Sequence, residues 1–471
     1  MTVPQWVQDS IFYQIFPDRF NNGNKGNDPV NMLPWEANPT NEGFHGGDLR
    51  GIIDRMYYLI DLGINAIYLN PIFLSPSNHR YNTVDYYRVD PKLGTQGELL
   101  TLLDVAHRNN VRVILDGVFN HCGRGFFAFS DILENQRASP YINWFHIHKF
   151  PVDAYSPGDA STYTGWWKYK SLPKFNTNEP AVRKYILDVA RYWIEQGFDG
   201  WRLDVPNEID DDSFWYDFRQ VVKNTNSEAY LLGEIWDGNP RWVGPHHFDG
   251  LMNYPVRTLI IDLLMQKILP QAFMNGSLSW LEKYPRENVF AQFNLVGSHD
   301  TERILTTLKG EIAKVKLAML LLLTYPGAPS IYYGDEIGIS GGSDPDCRKT
   351  FSWDESHWNN ILRQWVRKLI WIRRERVALR HGEMRFIECG NHHGLAFIRR
   401  DHNDTLLMVI NPSDTTMRLE IDLEGSGMQQ YDSIKSMLFT EKVNTLDGKI
   451  AIPLEPWSGN IFSCEGNHSG E

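Results

Sequence analysis

Eight short apolar segments, separated by helix-like stretches, constrain the fold of this chain more than any other feature. Eight β-α units in succession favour a closed parallel barrel, the α/β fold known as the (β/α)8 or TIM barrel. A doubly wound open sheet is the alternative, but it would favour a glycine-rich nucleotide loop, which the sequence lacks. The predicted strands are 11–17, 65–71, 111–117, 198–204, 230–236, 249–255, 291–300 and 329–336.

Two segments depart from this alternation and divide the chain. Residues 121–176, after the third predicted strand, show no clean period and are rich in aromatic and polar residues, which predicts an inserted subdomain. Residues 381–471 contain period-two runs, which predict a separate C-terminal antiparallel β-sandwich domain. The barrel is therefore predicted to comprise residues 1–120 and 177–380.

The charge and the cysteines exclude several classes of protein. A net charge of −12 argues against nucleic acid as a partner, because phosphate contacts need a basic surface. The four cysteines are far apart and lack CxxC spacing, which indicates free thiols in a reducing compartment. The sequence shows no signal peptide and no unbroken apolar stretch of membrane length, so we expect a cytoplasmic protein without a membrane partner. The aromatic content of 13% suits either sugar ligands or a large core.

Charged residues lie at the ends of four predicted strands, where the active sites of such barrels are found. They are Asp116 with Asn120 and His121, Arg202 with Asp204, Glu234 followed by Trp236, and His299 with Asp300. Arg202 and Asp204 are two residues apart, so in a strand both side chains point to the same face. The arginine would keep Asp204 ionised as a nucleophile, and a second carboxyl kept protonated would act as the acid. Such a pair is what cleavage of a glycosidic bond with retention requires.

These residues lie in four motifs that resemble those of the α-amylase family of glycoside hydrolases. The motifs are DGVFNH (116–121), GWRLDVPNE (200–208), GEIW (233–236) and GSHD (297–300), in the order of the family. The resemblance implies Asp204 as nucleophile, Glu234 as general acid and base, and Asp300 as the carboxylate that stabilises the transition state. It also implies that Arg202 orients the nucleophile and that Asp116 braces this arginine. The sugar in the cleavage subsite would contact His121, His299 and Tyr81.

Shorter motifs resemble those of the neopullulanases, cyclomaltodextrinases and maltogenic amylases within that family. LPKFN (172–176) is similar to their MPKLN signature but differs at two of five positions, and VPNE has Pro206 in place of their alanine. GGSDPDCRK (341–349) resembles their loop after the eighth strand, which implies that Asp344 and Arg348 bind the next sugar on the non-reducing side. A surface ion pair is the alternative for this loop. Asn207, Glu208 and Trp236 would line the acceptor side.

The segments FNNGNKGNDP (20–29) and GGDLRG (46–51) predict a structural Ca²⁺ site. The predicted ligands are Asn22, Asn24, Asn27, Asp28, Asp48 and the carbonyl of Gly46. Calcium takes six to eight oxygen ligands, so the number of oxygens suits it, and the subfamily resemblance implies calcium at this place. A simple Asn/Gly turn is the alternative. No redox or nucleotide cofactor is expected, because the reaction needs only proton transfer.

The predicted function is hydrolysis of α-1,4 and α-1,6 glucosidic bonds in maltooligosaccharides, pullulan and branched α-glucans, with some transglycosylation. The resembling enzymes carry an extra N-terminal domain that packs against a partner subunit, whereas the first strand here is predicted near Ser10. We therefore expect an open cleft, and a monomer or a dimer formed in another way. An enzyme acting mainly on α-1,4 bonds, a cyclomaltodextrinase or maltogenic amylase, is the alternative within this class. A non-catalytic glycan-binding or transporter-associated protein on the same barrel is the alternative outside it.

Overall fold

The computed structural model describes residues 3–428, 431–440, 442–444 and 447–466. These residues belong to two compact units. The first contains residues 3–5, Phe12–Met252 and Asp344–Ser352, and the second contains Trp6–Ile11, Asn253–Ser343 and the described residues from Trp353 onward. In this described part of the chain, no helix has the length and apolar character that a membrane span requires.

The first unit is built on six parallel strands, named here the first to sixth barrel strands. They are Phe12–Ile15, Ala66–Leu69, Arg112–Gly117, Gly200–Leu203, Tyr230–Gly233 and Gly250–Leu251. Each strand pairs in parallel with the next one along the chain, from the first to the sixth. Nearly all of their residues are buried, as expected for a parallel sheet covered on both faces.

Helices connect the parallel strands of this unit. They are Pro17–Phe20, Leu49–Asp54, Met56–Leu62, Gln96–Arg108, Phe127–Asn135, Pro180–Glu195 and Asp212–Thr225. Local chemistry sets where they begin. Thr95 and Glu98 form a capping box at Gln96–Arg108, and the side chain of Asp211 accepts from two backbone N–H groups at the start of Asp212–Thr225.

The register of the central strands aligns the residues that were predicted to carry the chemistry. Asp116 on the third strand is the direct partner of Arg202 on the fourth. Beyond the strand ends, Asp204 N donates to Gly117 O at 3.0 Å, and Glu234 N donates to Leu203 O at 3.1 Å. Backbone hydrogen bonds therefore continue the parallel pairing beyond the strand ends and fix the positions of Asp204 and Glu234 relative to each other.

The excursion after the third strand contains few regular elements. Besides Phe127–Asn135 it has short 3-10 turns, including Ile142–Trp144 and Trp166–Lys168. Isolated antiparallel bridges tie it together, among them His121 with Lys174 and Phe145 with Phe175. A two-stranded antiparallel pair, Phe73–Leu74 with Asp85–Val89, precedes it in the chain.

The second unit contains two parallel strands, Phe293–Leu295 and Ala328–Tyr332, the seventh and eighth barrel strands. Its helices are Tyr254–Leu264, Pro270–Leu281, Arg286–Phe290, Ile304–Thr307, Ile312–Thr324, Asn360–Glu375 and Val377–His381. In the helix Ile312–Thr324, residues Leu317–Thr324 are all buried. This burial explains why that half of the helix is apolar on all sides.

The C-terminal part of the second unit is antiparallel. Its strands are Glu383–Phe386, Leu395–Asp401, Asp404–Asn411, Met417–Asp422, Tyr431–Ser436, Lys442–Asn444, Lys449–Leu454 and Ser458–Gly466. Six of them form one sheet, and Met417–Asp422 pairs with Lys449–Leu454 in a second. Alternating side chains from both sheets, including Ile398, Leu419 and Ile452, share one apolar core.

Eight parallel strands, six in the first unit and two in the second, confirm the predicted (β/α)8 barrel, and the antiparallel strands confirm the C-terminal β-sandwich. The sixth strand ends at Leu251, earlier than the predicted 249–255, because Asn253 caps the helix that starts at Tyr254. The domain boundaries stay a prediction. Within the predicted β-domain, residues 429–430, 441, 445–446 and 467–471 lie outside the described residues.

Candidate active site

One buried guanidinium joins three carboxylates at the ends of the third, fourth and fifth strands. Arg202 Nη1 lies 2.9 Å from Asp116 Oδ1 and 3.0 Å from Asp204 Oδ1, and its Nη2 lies 2.8 Å from Glu234 Oε1. Arg202 and Asp116 are completely buried, whereas Asp204 is 9% and Glu234 4% exposed. Burial opposes the charged form of Arg202, but Asp116 and Glu234 hold its pKa well above the usual range. The arginine is thus a fixed cation that aims two nearly buried carboxylates.

Asp116 is held by two tyrosines as well as by the arginine. Tyr68 and Tyr81 donate their hydroxyls to Asp116 Oδ2 at 2.6 and 2.8 Å. Asn70 in turn donates to the hydroxyl of Tyr81 at 3.0 Å. Burial raises the pKa of Asp116, and the charge of Arg202 and these hydroxyls oppose that rise. Asp116 therefore contacts Arg202 and two tyrosine hydroxyls, and Tyr68 is a partner that the sequence did not single out. The role of Asp116 stays a prediction.

Glu234 is oriented by a strained backbone segment. Val205 follows Asp204 directly and donates its N–H to Glu234 Oε2 at 3.0 Å. The φ of Val205 is +35°, a conformation that a β-branched residue rarely adopts. Trp236 donates its Nε1–H to Glu234 Oε1 at 3.2 Å and remains 49% exposed. Each oxygen of Glu234 thus accepts a hydrogen bond from a fixed partner. The predicted place of Trp236 on the acceptor side stays a prediction.

Two histidines of the first unit are neutral. Burial lowers the pKa of His121 to about 3, and burial together with Arg348 and Arg80 lowers the pKa of His79 to about 3. Tyr81 N donates to His79 Nδ1 at 3.1 Å, so the hydrogen of the neutral ring is on Nε2. His79 lies two residues before Tyr81 but could not be predicted as part of the site, because a lone histidine in a loop forms no sequence pattern.

A polar cavity of about 160 Å³ contains the two residues predicted for the non-reducing side. Its lining residues are Arg19, Thr40, Asn41, Asn78, His79, Asp344, Pro345 and Arg348. Arg348 Nη1 lies 3.0 Å from Asp344 Oδ1. Asn78 donates to the carbonyls of Thr40, Asn41 and Gly43, so the 40–43 loop is fastened at this cavity.

On the predicted acceptor side, Asn207 and Glu208 lie in the 3-10 turn Pro206–Glu208 after the fourth strand. Lys174 Nζ donates to the carbonyl of Glu208 at 2.8 Å and lies 3.5 Å from its Oε2. This lysine belongs to the LPKFN segment, so the structure links two of the subfamily motifs. The roles of Asn207 and Glu208 stay predictions.

The second unit contains the remaining predicted residues, after the seventh strand. His299 Nε2 lies 3.1 Å from Asp300 Oδ2, and the histidine is buried. Ser298 Oγ accepts from the Asp300 N–H at 3.2 Å. Nearby in the chain, Arg303 Nη1 lies 3.1 Å from Asp335 Oδ1, and burial raises the pKa of Asp335 to about 6. The parts of His299 and Asp300 in catalysis stay predictions.

In the loop predicted to bind calcium, two of the predicted ligand oxygens are available to a cation, and others accept hydrogen bonds within the loop. Asn22 Oδ1 and Asn27 Oδ1 are buried and have no hydrogen-bond partner among the described residues, as oxygens reserved for a metal would be. Asn22 Nδ2 donates to Asp28 Oδ1 at 2.7 Å, and a Cβ on Gly46 would lie 2.8 Å from either atom. Other predicted ligands are engaged in the loop itself. Asp48 accepts from the N–H groups of Gly23, Asn24 and Gly51, and Asn24 Oδ1 accepts from Gly26.

The chain is similar to known proteins over most of its length. Residues 14–368 match the family described as "Alpha amylase, catalytic domain". The chain is 42% identical over 468 residues to a cyclomaltodextrinase of Geobacillus thermopakistaniensis (strain MAS1). The aligned region covers 98% of this chain and 78% of that protein. It is 39% identical over 465 residues to neopullulanase 2 of Thermoactinomyces vulgaris, with the same two coverages.

A solved structure, the debranching enzyme from Nostoc punctiforme, superposes with a TM-score of 0.89 at 39% identity. The superposition covers 98% of this chain and 99% of that one. The likeness thus extends over both units and is not confined to the motifs.

Proposed function

Because the chain belongs to the α-amylase family of glycoside hydrolases, we propose that it hydrolyses both α-1,4 and α-1,6 glucosidic bonds in α-glucans with retention of configuration. The single observation that carries this proposal is the shared guanidinium of Arg202, within 3.0 Å of both Asp204 and Glu234. Two carboxylates fixed around one cation can serve one anomeric carbon, one as nucleophile and the other as proton donor. Asp300 is proposed as the third carboxylate.

The reaction proceeds in two displacement steps. An oxygen of Asp204 attacks the anomeric carbon while the bond to the leaving oxygen breaks, and Glu234 gives its proton to that oxygen. The product of this step is a glucosyl ester of Asp204. In the second step Glu234 takes a proton from a water molecule or a sugar hydroxyl, whose oxygen attacks the same carbon and releases Asp204. A water molecule gives hydrolysis, and a sugar hydroxyl gives transglycosylation.

Relatives support action on α-1,6 bonds, since a neopullulanase and a debranching enzyme are each 39% identical to this chain. The cyclomaltodextrinase at 42% identity favours the alternative, an enzyme acting mainly on α-1,4 bonds. A non-catalytic glycan-binding protein is not favoured, because Asp204, Glu234 and their fixed partners are present together.

Product analysis tests this proposal. The purified protein is incubated separately with pullulan, a cyclodextrin and branched maltooligosaccharides, and the products are separated by chromatography. We expect linear chains from the branched substrates, and the α-anomer as first product by NMR. Cyclodextrin cleavage without release of linear chains from branches would leave only the α-1,4 alternative. An Asp204→Asn variant should lose turnover on every substrate, whereas Asp104→Asn, a change on the exposed side of a helix, should not.

We also propose that the loop around Asn22 and Asn27 holds a structural Ca²⁺ ion. The unpartnered side-chain oxygens of these two residues would coordinate the ion. The ion would stabilise the loop and take no part in the chemical steps. Calorimetric titration of EDTA-treated protein with CaCl₂ should show saturable binding, and Asn27→Ala should weaken it at least tenfold. Equal heats for the treated protein and the Asn27→Ala variant would contradict the site.

The proposed setting is the cytoplasm. None of the four cysteines forms a disulfide among the described residues, and Cys122, Cys347 and Cys389 are buried, which suits a reducing compartment. The partner is an α-glucan, and the proposed assembly is a monomer or a dimer. Multi-angle light scattering would measure the assembly directly, and cell fractionation with antibody detection would test the location.

A further inference from the structure

We propose that Trp167 is a stacking platform for a glucosyl unit that lies outside the cleavage subsite. The inference rests on the proposed function, and it adds a binding residue that the four motifs do not contain. Trp167 belongs to the excursion after the third strand and is 72% exposed. Exposure alone would not mark a residue as functional, but Trp167 also stacks on the neighbouring Trp166.

Trp167 is the outer end of a column of three rings that begins in the candidate active site. The ring of buried His121 stacks on Trp166 with centroids 5.1 Å apart and an interplanar angle of 17°. Trp166 stacks on Trp167 at 4.8 Å and 14°. The column therefore leads from a residue shortly after the third strand to the surface, where the ring of Trp167 is largely exposed and nearly parallel to that of Trp166.

The backbone holds Trp167 in this position against its own preference. Trp167 has a φ of +47° and Lys168 a φ of +65°, both in the left-handed region. Backbone hydrogen bonds of ordinary length fix the turn, from Trp166 N to Leu172 O and from Lys168 N to Gly165 O, each at 2.9 Å. Strain that the surrounding structure maintains is typical of binding and catalytic sites. The exposed ring is thus a fixed feature of the turn.

An unpartnered donor lies within the column. Trp166 Nε1 is a buried atom with no hydrogen-bond partner among the described residues. Leaving such groups unpaired is costly unless a ligand or water satisfies them. An α-glucan offers both kinds of contact, because the C–H face of a glucosyl ring packs on an aromatic ring and its hydroxyls accept hydrogen bonds.

Binding to an inactive enzyme tests the platform apart from turnover. In an Asp204→Asn background, the dissociation constants of maltoheptaose and maltose are measured by calorimetry with and without Trp167→Ala. We expect maltoheptaose to bind about tenfold more weakly in the double variant and maltose to change less than twofold, because only the longer chain reaches Trp167. Trp167→Phe should retain most of the affinity, and Tyr57→Ala, a change at an equally exposed aromatic of the first unit, should have no effect.

Equal maltoheptaose affinity with and without the Trp167→Ala change would overturn the proposal. If the affinity is unchanged but the Trp167→Ala variant has a different oligomeric state on gel filtration, the proposal is also overturned, and this surface is an interface between copies of the chain. An Asp204→Asn parent that does not bind maltoheptaose would overturn it as well. The proposed function fails separately, if the wild-type protein cleaves no α-glucan while Trp167→Ala still weakens maltoheptaose binding.

Discussion

Val205 donates its backbone N–H to Glu234 Oε2 at 3.0 Å while its own φ is +35°. The proposed nucleophile Asp204 immediately precedes it, so the strained residue joins the two proposed catalytic carboxylates. A β-branched residue in this conformation costs about 1–3 kcal/mol. The strain is tolerated because neighbouring hydrogen bonds hold the segment, including the one from Asp204 N to Gly117 O.

Val205→Gly should therefore separate stability from activity. Glycine adopts a positive φ without a steric penalty, so we expect an unchanged or higher melting temperature. The N–H would be less firmly held, and kcat should fall several-fold. Val205→Ala keeps a side chain in the strained conformation and is the matched control. A lower melting temperature with unchanged kcat in the glycine variant would contradict this role.

Arg202→Lys should reduce kcat at least a hundredfold. An ammonium group cannot replace the two guanidinium nitrogens that contact Asp116, Asp204 and Glu234, and breaking a buried ion pair costs about 3–5 kcal/mol. Steady-state kinetics on maltooligosaccharides measures the effect. Arg219→Lys removes a comparable buried guanidinium, 2.8 Å from Asp249, and should lower the melting temperature with little change in kcat. Similar kcat values for the two variants would show that Arg202 acts only on stability.

Stability should decrease as the pH falls below about 6.5, with His121 as one cause. Burial lowers the pKa of His121 from its usual value of 6.5 to about 3. Between about pH 6.5 and pH 3, the unfolded chain therefore binds a proton at this histidine that the folded protein does not. The sign is therefore a loss of stability on acidification, of up to about 1.4 kcal/mol per pH unit from this group. Melting temperatures at pH 7.0 and 5.5 measure it. His121→Gln should reduce the slope, and His402→Gln, at an exposed residue, should leave it unchanged.

Asn78→Asp should raise KM about fivefold and change kcat little. The amide of Asn78 donates to the carbonyls of Thr40, Asn41 and Gly43, and a carboxylate of the same shape has no hydrogen to donate and repels them. The loop beside the cavity would loosen, so substrate would be held less well. The measurement is KM for maltotriose, with Asn109→Asp, at an exposed helix end, as the control. A loss of kcat at constant KM would place Asn78 in the chemical step instead.

Much of the barrel and its site could be predicted from sequence. Apolar runs placed the eight strands, and the family resemblance was confirmed by the match over residues 14–368. The proximity of Asp116, Arg202 and Asp204 followed from the ends of parallel strands, which meet at one edge of a sheet. Some strand ends were placed too late, as at Tyr254, where a capping Asn253 and a proline start a helix inside the predicted strand.

The sequence by itself determined the strand order, the class of chemistry and the carboxylates proposed to carry it, because these depend on local periodicity and on motifs within a few residues. Only the tertiary structure decided that Arg202 also reaches Glu234, that His79 lies beside Arg348 in a cavity, and that Trp167 extends a stack from His121. Such contacts join residues far apart in the chain or depend on the direction of a side chain. Neither property produces a periodic pattern in the sequence, so neither could be predicted from it. Packing of whole elements fixes them.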